Sequence, residues 1–107
     1  MKLIDQRMLD GSRHFARLPK ISPWEVVRGH TLLLQGAEVV NFVDSEMAPA
    51  WLDFTYHGHR FLIHSHENQL HLFVHDPQCS DLLLYQVGTH FERLVEGDKG
   101  QGTRDEG

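Results

Sequence analysis

The amino-acid sequence predicts a two-layer α+β fold: a four-stranded antiparallel meander sheet packed by an N-terminal helix and a C-terminal helix. Two observations predict the layers. Three strand-like runs of about seven residues follow one another between residues 51 and 75, with only two turn residues between neighbouring runs. Segments with helical spacing, each opened by a capping residue and a proline, lie before and after the runs.

The strands follow from residue type and turn chemistry. A segment rich in β-branched residues is the first strand and a loop at 45–49 follows it. Gly58-His59 suits a type II′ turn, and Glu67-Asn68 is the second turn. The four predicted strands are 37–44, 51–57, 60–66 and 69–75. With these turns, one face collects eight uncharged residues and is the predicted core: Leu52, Phe54, Tyr56, Phe61, Ile63, Leu70, Leu72 and Val74.

The helices are predicted from their start signals. Ser22 is the expected cap of a helix that runs to about Gln35, although Gly29 leaves open an earlier end followed by a strand at 31–35. Asp76-Pro77 opens the second helix, which should reach about Glu96. Its apolar stripe contains Cys79, Leu83, Val87, Phe91 and Leu94.

The domain limits follow from these elements. Residues 1–96 form a single α+β domain, in which 1–21 are an irregular or short extended N-terminal segment. Residues 97–107 contain four glycines and no apolar residue, so they are predicted to be a disordered tail. Cys79 falls in the first turn of the second helix, where a packing role is weighed above a reactive thiolate.

Composition excludes several classes of function. The 107 residues carry a formal net charge of −5 without a clustered basic surface, which argues against a nucleic-acid partner. A single cysteine cannot form an internal disulfide. No apolar run is long enough for a membrane span or a secretory signal, so a cytoplasmic protein without a membrane partner is expected. No nucleotide or nucleophile motif is present, so no catalytic or cofactor-binding residue is predicted.

Histidine is the unusual residue, with nine in the chain. The turns place five of them on the sheet face opposite the core: His57, His64, His66, His71 and His75. The same register aligns Asp53, His64 and His71 as a row across three adjacent strands. Two imidazoles and a carboxylate can bind a divalent transition metal such as zinc or iron. An ordinary polar row on a solvated face is weighed above this metal site.

The same outer face also carries Trp51, Leu62 and Phe73. This apolar strip, flanked by His57 and His75, has the composition of a subunit interface, so a homodimer is expected and another protein partner is a further option. The leading hypothesis is a small soluble noncatalytic interaction or regulatory module that self-associates through this face. The alternative is a metal-binding protein or small metalloenzyme. A small-molecule binder with a pocket between sheet and helices is the third candidate.

Overall fold

The chain forms one antiparallel sheet and two helices in the computed structural model. The structure describes residues 2–19, 22–45 and 48–104, without the side chains of 45, 48–49 and 95–104. In chain order the elements are β1 (Gln6–Arg7), β2 (Arg13–Pro19), α1 (Trp24–Leu32), β3 (Glu38–Ser45), β4 (Ala48–Tyr56), β5 (His59–His66), β6 (Gln69–Val74) and α2 (Asp81–Arg104). The strand order across the sheet is β1-β2-β6-β5-β4-β3.

The predicted α+β class is confirmed, but the described sheet has six strands rather than four. The N-terminal segment supplies the two additional strands, since β2 pairs with β6 and β1 pairs with β2. The register of β2 shifts between His14 and Ala16, so Phe15 and Ala16 are both buried in the core. Such a bulge breaks the two-residue alternation of side chains, and the sequence therefore gives no sustained strand signal there.

The first hairpin turn lies one residue earlier than predicted. His57 and Gly58 have φ angles of 51° and 78°, which is the type I′ pattern, and Tyr56 pairs with His59. The predicted type II′ turn at Gly58-His59 is therefore wrong. Glu67 and Asn68 form the second turn as predicted, with φ angles of 54° and 61°.

Moving the first turn by one residue shifts the β4–β5 pairing by two positions along one strand. Because side chains alternate with a period of two, every residue keeps its face but gains a different neighbour across the strands. The predicted core face is therefore confirmed, and all eight of its residues are buried. The predicted cross-strand neighbours between β4 and β5 are wrong.

Helix α1 begins at Trp24, and its N-cap is Pro23 without a side-chain cap hydrogen bond, so the predicted cap at Ser22 is wrong. The helix ends at Leu32 rather than Gln35, and the earlier end that Gly29 left open is confirmed without a strand at 31–35. At the next boundary, residues predicted as loop belong to β4, which starts at Ala48; positions 46 and 47 lie outside the described residues.

Helix α2 begins four residues later than predicted, at Asp81. Asp76 instead forms a turn, since its Oδ1 accepts a hydrogen bond of 2.9 Å from the Gln78 N–H. Ser80 Oγ accepts a bond of 3.3 Å from the Leu83 N–H at the start of the helix. The helix extends to Arg104, and the predicted disorder of 97–107 stays a prediction because these side chains and positions 105–107 lie outside the described part.

Both helices pack on the core face of the sheet. Trp24 and Val27 of α1 and Leu84, Val87 and Phe91 of α2 join the sheet residues in a single buried cluster. Beside it, the buried guanidinium of Arg13 ties three segments together. Its Nε donates to the Ile4 carbonyl at 3.0 Å and its Nη1 to Asp81 Oδ1 at 3.0 Å, at the start of α2.

A pair of histidines, His30 and His90, connects the two helices by hydrogen bonds, and we call this pair the clasp. Nε2 of His30 lies 2.6 Å from the carbonyl oxygen of His90, and Nε2 of His90 lies 2.6 Å from the carbonyl oxygen of His30. Their rings are stacked at 4.1 Å between centroids. Since a carbonyl oxygen only accepts, each Nε2 must carry the proton and donate it.

We expect His30→Phe to keep the ring stacking and lose one hydrogen bond of this clasp. The free energy of unfolding should fall by about 1 kcal/mol, the net contribution of a typical hydrogen bond. Urea denaturation measures the change. His75→Phe is the matched control, because His75 is exposed, and it should leave stability nearly unchanged. Equal stabilities of the two variants would contradict a stabilising clasp.

Candidate functional site

The sheet face opposite the helices is the candidate site, and we call it the outer face. Strand pairing places its central residues in two rows. In the first, His14 lies opposite Phe73, Phe73 opposite Leu62, and Leu62 opposite Asp53. In the second, Arg17 lies opposite His71, His71 opposite His64, and His64 opposite Trp51. Each row runs across four neighbouring strands, β2, β6, β5 and β4.

The predicted row of Asp53, His64 and His71 is only half formed. His64 lies beside His71 as predicted, with stacked rings 5.5 Å apart. Asp53 shares the face but lies opposite Leu62, one row away, because the type I′ turn shifts β5 along β4. The register inferred for this residue from the sequence is therefore wrong.

Asp53 is instead held by Arg60. Its carboxylate is buried, and Arg60 Nε lies 2.9 Å from Oδ1 and 3.0 Å from Oδ2 while Arg60 Nη2 also donates to Oδ2. These hydrogen bonds and the carboxylate charge raise the pKa of Arg60 above its ordinary value. A two-pronged pairing of this kind neutralises the buried charge, so the carboxylate is not a free metal ligand.

A third histidine, His14, completes a cluster that the sequence did not reveal. Nε2 of His14 lies 3.3 Å from Nδ1 of His71. His14 reaches this position because β2 pairs with β6. The bulge at Phe15 puts His14 and Arg17 on the outer face at a spacing of three, so a period of two would not have found the pair.

Phe73 lies between two of these imidazoles. Its ring stacks on His14 with centroids 4.8 Å apart and on His64 with centroids 4.9 Å apart. Burial, and then the proximity of His71, lowers the pKa of His14 and of His64 below the ordinary histidine value. Both imidazoles are therefore mainly neutral at pH 7, and the centre of the outer face carries little charge.

The outer face also contains an open hollow of about 470 Å³. It is lined by Ala50, Trp51, Leu62 and His64, so two of the predicted interface residues form its wall. Phe73, the third apolar residue of the predicted strip, is buried beside the hollow in the adjoining row. The three residues of the predicted apolar strip therefore lie close together on the outer face.

The two histidines predicted to flank the strip lie at its margin. His57 is exposed in the hairpin turn, with its ring 4.3 Å from that of Tyr56. Thr55, not His57, lies opposite Arg60 on the neighbouring strand. His75 is exposed, and its backbone N–H donates to the Arg60 carbonyl at 2.8 Å.

Two further chemical features concern the described part of the chain. No three or more of its His, Cys, Asp and Glu side chains are grouped in a way that could hold a metal ion. Cys79 is a free, buried thiol in the turn before α2 rather than in the first turn of that helix. Burial, and then Asp76, raises its pKa, so it remains a thiol and packs in the core.

Comparisons of this chain with protein-family models, with curated proteins and with solved structures found no match. Within the described residues, neither helix combines the length and apolarity that crossing a membrane requires.

The lowered pKa values make a prediction for stability. Below about pH 6.5 the unfolded chain protonates His14 and His64 while the folded chain resists protonation, so stability is full above that pH and falls as the pH drops towards the folded pKa values. Urea denaturation between pH 7.5 and 5.5 should show this decline. The double variant His14→Gln, His64→Gln should flatten it, and His75→Gln should not. An unchanged slope in the double variant would refute the assignment.

Proposed function

We propose that this protein is a small noncatalytic interaction or regulatory module that self-associates through its outer face. The observation that supports the proposal most is an aromatic and histidine-rich sheet face, with an open hollow, that lies opposite both helices. The proposal keeps the cytoplasmic location that the sequence predicts. A homodimer is the expected assembly.

The electrostatics of the outer face favour an apolar partner. Asp53 is paired with Arg60, and His14 and His64 resist protonation, so the central rows carry few free charges. Depletion of charge with enrichment of aromatic residues is typical of the centre of a protein interface. Arg17 is exposed at the end of its row and would lie at the polar rim.

A second copy of the same face is the partner to which the proposal commits. In a twofold dimer the same patch meets itself, so a surface with little net charge can pair with its copy without repulsion. Trp51 forms the rim of the hollow, and in such a pair each subunit's Trp51 can contact the other subunit's hollow. Aromatic anchors seated in pockets are typical of the residues that dominate binding energy.

The size of the face sets the strength expected. With strands about 4.8 Å apart and a rise of about 3.3 Å per residue, the 40 residues of the six strands cover roughly 630 Å². Two copies would then bury roughly 1,300 Å², at the lower end of specific interfaces. We therefore expect a reversible, concentration-dependent dimer rather than an obligate one.

Sedimentation velocity across about 1 to 300 μM should show this equilibrium, with dissociation in the micromolar range. Leu62→Lys places a charge in the hollow wall and should shift the protein to monomer over the whole range. Leu82→Lys is the matched control, since Leu82 is 71% exposed on the helix layer, and it should leave the dimer intact.

Two results would reject self-association through this face. One is a wild-type monomer at every concentration. The other is a dimer that survives Leu62→Lys with unchanged affinity while both variants remain folded by circular dichroism.

The metal alternative, zinc or iron at Asp53, His64 and His71, is a second candidate because His64 and His71 do lie side by side. It requires Asp53 to leave Arg60 and to reach across one row, which is unfavourable for a buried carboxylate. Calorimetric titration of tag-free protein with Zn²⁺ should therefore show no tight binding of one ion per chain. Unit stoichiometry that disappears in His64→Ala, His71→Ala would put the metal site first.

A further inference from the structure

A second hollow, of about 310 Å³, lies on the helix side of the sheet, away from the outer face. Leu34, which follows α1, and Tyr56, at the end of β4, form one side of it. Helix α2 forms the other side with a stripe of polar and aromatic side chains: Tyr85, Gln86, Thr89, His90 and Arg93. We call this space the helix-side hollow. Its volume is at the lower end of small-molecule pockets.

The hydroxyl of Thr89 is unsatisfied in the helix-side hollow. Its Oγ1 is buried and has no hydrogen-bond partner among the residues that the structure describes. Thr31 shows the usual alternative on the other helix, because its Oγ1 donates to the Val27 carbonyl at 2.9 Å. A buried hydroxyl without a partner is destabilising, so a ligand that accepts its proton would remove a real cost.

Arg93 supplies the charge of this hollow. No hydrogen bond or ion pair joins its guanidinium to any other described residue, and the described side chains that line the space include no Asp or Glu. His90 adds little charge at pH 7, because burial lowers its pKa below the ordinary histidine value. The helix-side hollow therefore has one unpaired positive group and favours an anion.

Spacing along α2 allows one anion to meet both groups. Thr89 and Arg93 are four residues apart, so their side chains are neighbours on one face of the helix. A carboxylate has two oxygens and can accept from a hydroxyl and a guanidinium at once. Leu34 and the rings of Tyr56 and Tyr85 offer an apolar surface beside this polar end.

We propose that the helix-side hollow binds a small organic carboxylate. Arg93 pairs with the carboxylate, the Thr89 side chain turns its buried hydroxyl towards the hollow and donates to the same group, and Leu34, Tyr56 and Tyr85 hold the apolar body of the ligand. This site is independent of self-association, because its residues lie on the opposite side of the sheet from Leu62 and Trp51.

Benzoate is the probe, since it joins a carboxylate to a flat apolar body, and benzamide is its neutral counterpart. In a ¹H–¹⁵N correlation titration of the full chain up to about 20 mM, benzoate should shift the amides of Leu34 and of residues 85–93 with saturation. Benzamide should bind at least about tenfold more weakly, since it lacks the charge that pairs with Arg93.

Two variants identify the groups. Arg93→Gln should weaken benzoate binding by about tenfold or more, whereas Arg28→Gln, which changes an arginine packed over Phe42, should not. Thr89→Val should weaken binding about fivefold and raise the Tm of the ligand-free protein, because it removes the unsatisfied hydroxyl. A purely structural Thr89 would not change benzoate affinity.

The proposal is overturned by any of three results. The first is the absence of saturable benzoate shifts at these amides up to 20 mM. The second is equal binding of benzoate and benzamide, which would mean that only the apolar surface is used. The third is an unchanged benzoate affinity of Arg93→Gln while its spectrum shows an intact fold.

Discussion

The alternation of side chains along β4, β5 and β6 is the constraint on which the rest of the structure depends. Two type I′ turns join these strands, and each holds two residues at positive φ, including the non-glycine residues His57, Glu67 and Asn68. Such turns match the twist of the strands and fix which side chains share a face. The core, the helix layer and the outer face all follow from that assignment, since both helices cover the face that carries the buried apolar cluster.

This constraint explains which inferences from sequence were right. The eight core residues, the outer-face positions of Leu62 and Phe73, and the His64–His71 pair depend on face parity or on the second turn, which the sequence shows clearly. The predicted neighbour of Asp53 depended on which two residues form the first turn. Nothing in the sequence indicated that His57 would adopt the left-handed conformation and be one of them. A first turn that lies one residue earlier than predicted was enough to make Arg60, rather than His64, the partner of Asp53.

The pairing of the N-terminal strands could not be predicted for a different reason. Arg13–Pro19 contains a bulge and pairs with a strand fifty or more residues away, so local patterning carries little of the information. Its contribution to the site is nevertheless large, because it delivers His14 to Phe73 and His71. It also delivers Arg13 to Asp81, 68 residues along the chain, which anchors the start of α2. Non-local pairing of this kind depends on how the whole chain packs and not on the sequence of any one segment.

The two faces of the molecule differ in how their polar groups are satisfied, and this difference separates the two proposed sites. On the outer face Asp53 is held by Arg60, and His14 lies within hydrogen-bond distance of His71, so these two buried polar groups have partners within the protein. On the helix side the Thr89 hydroxyl is buried without a partner and Arg93 is unpaired among the described residues. Native proteins rarely leave buried hydroxyls unsatisfied, and this difference is why we propose protein contact for the first surface and, for the second, a ligand that supplies the missing acceptor.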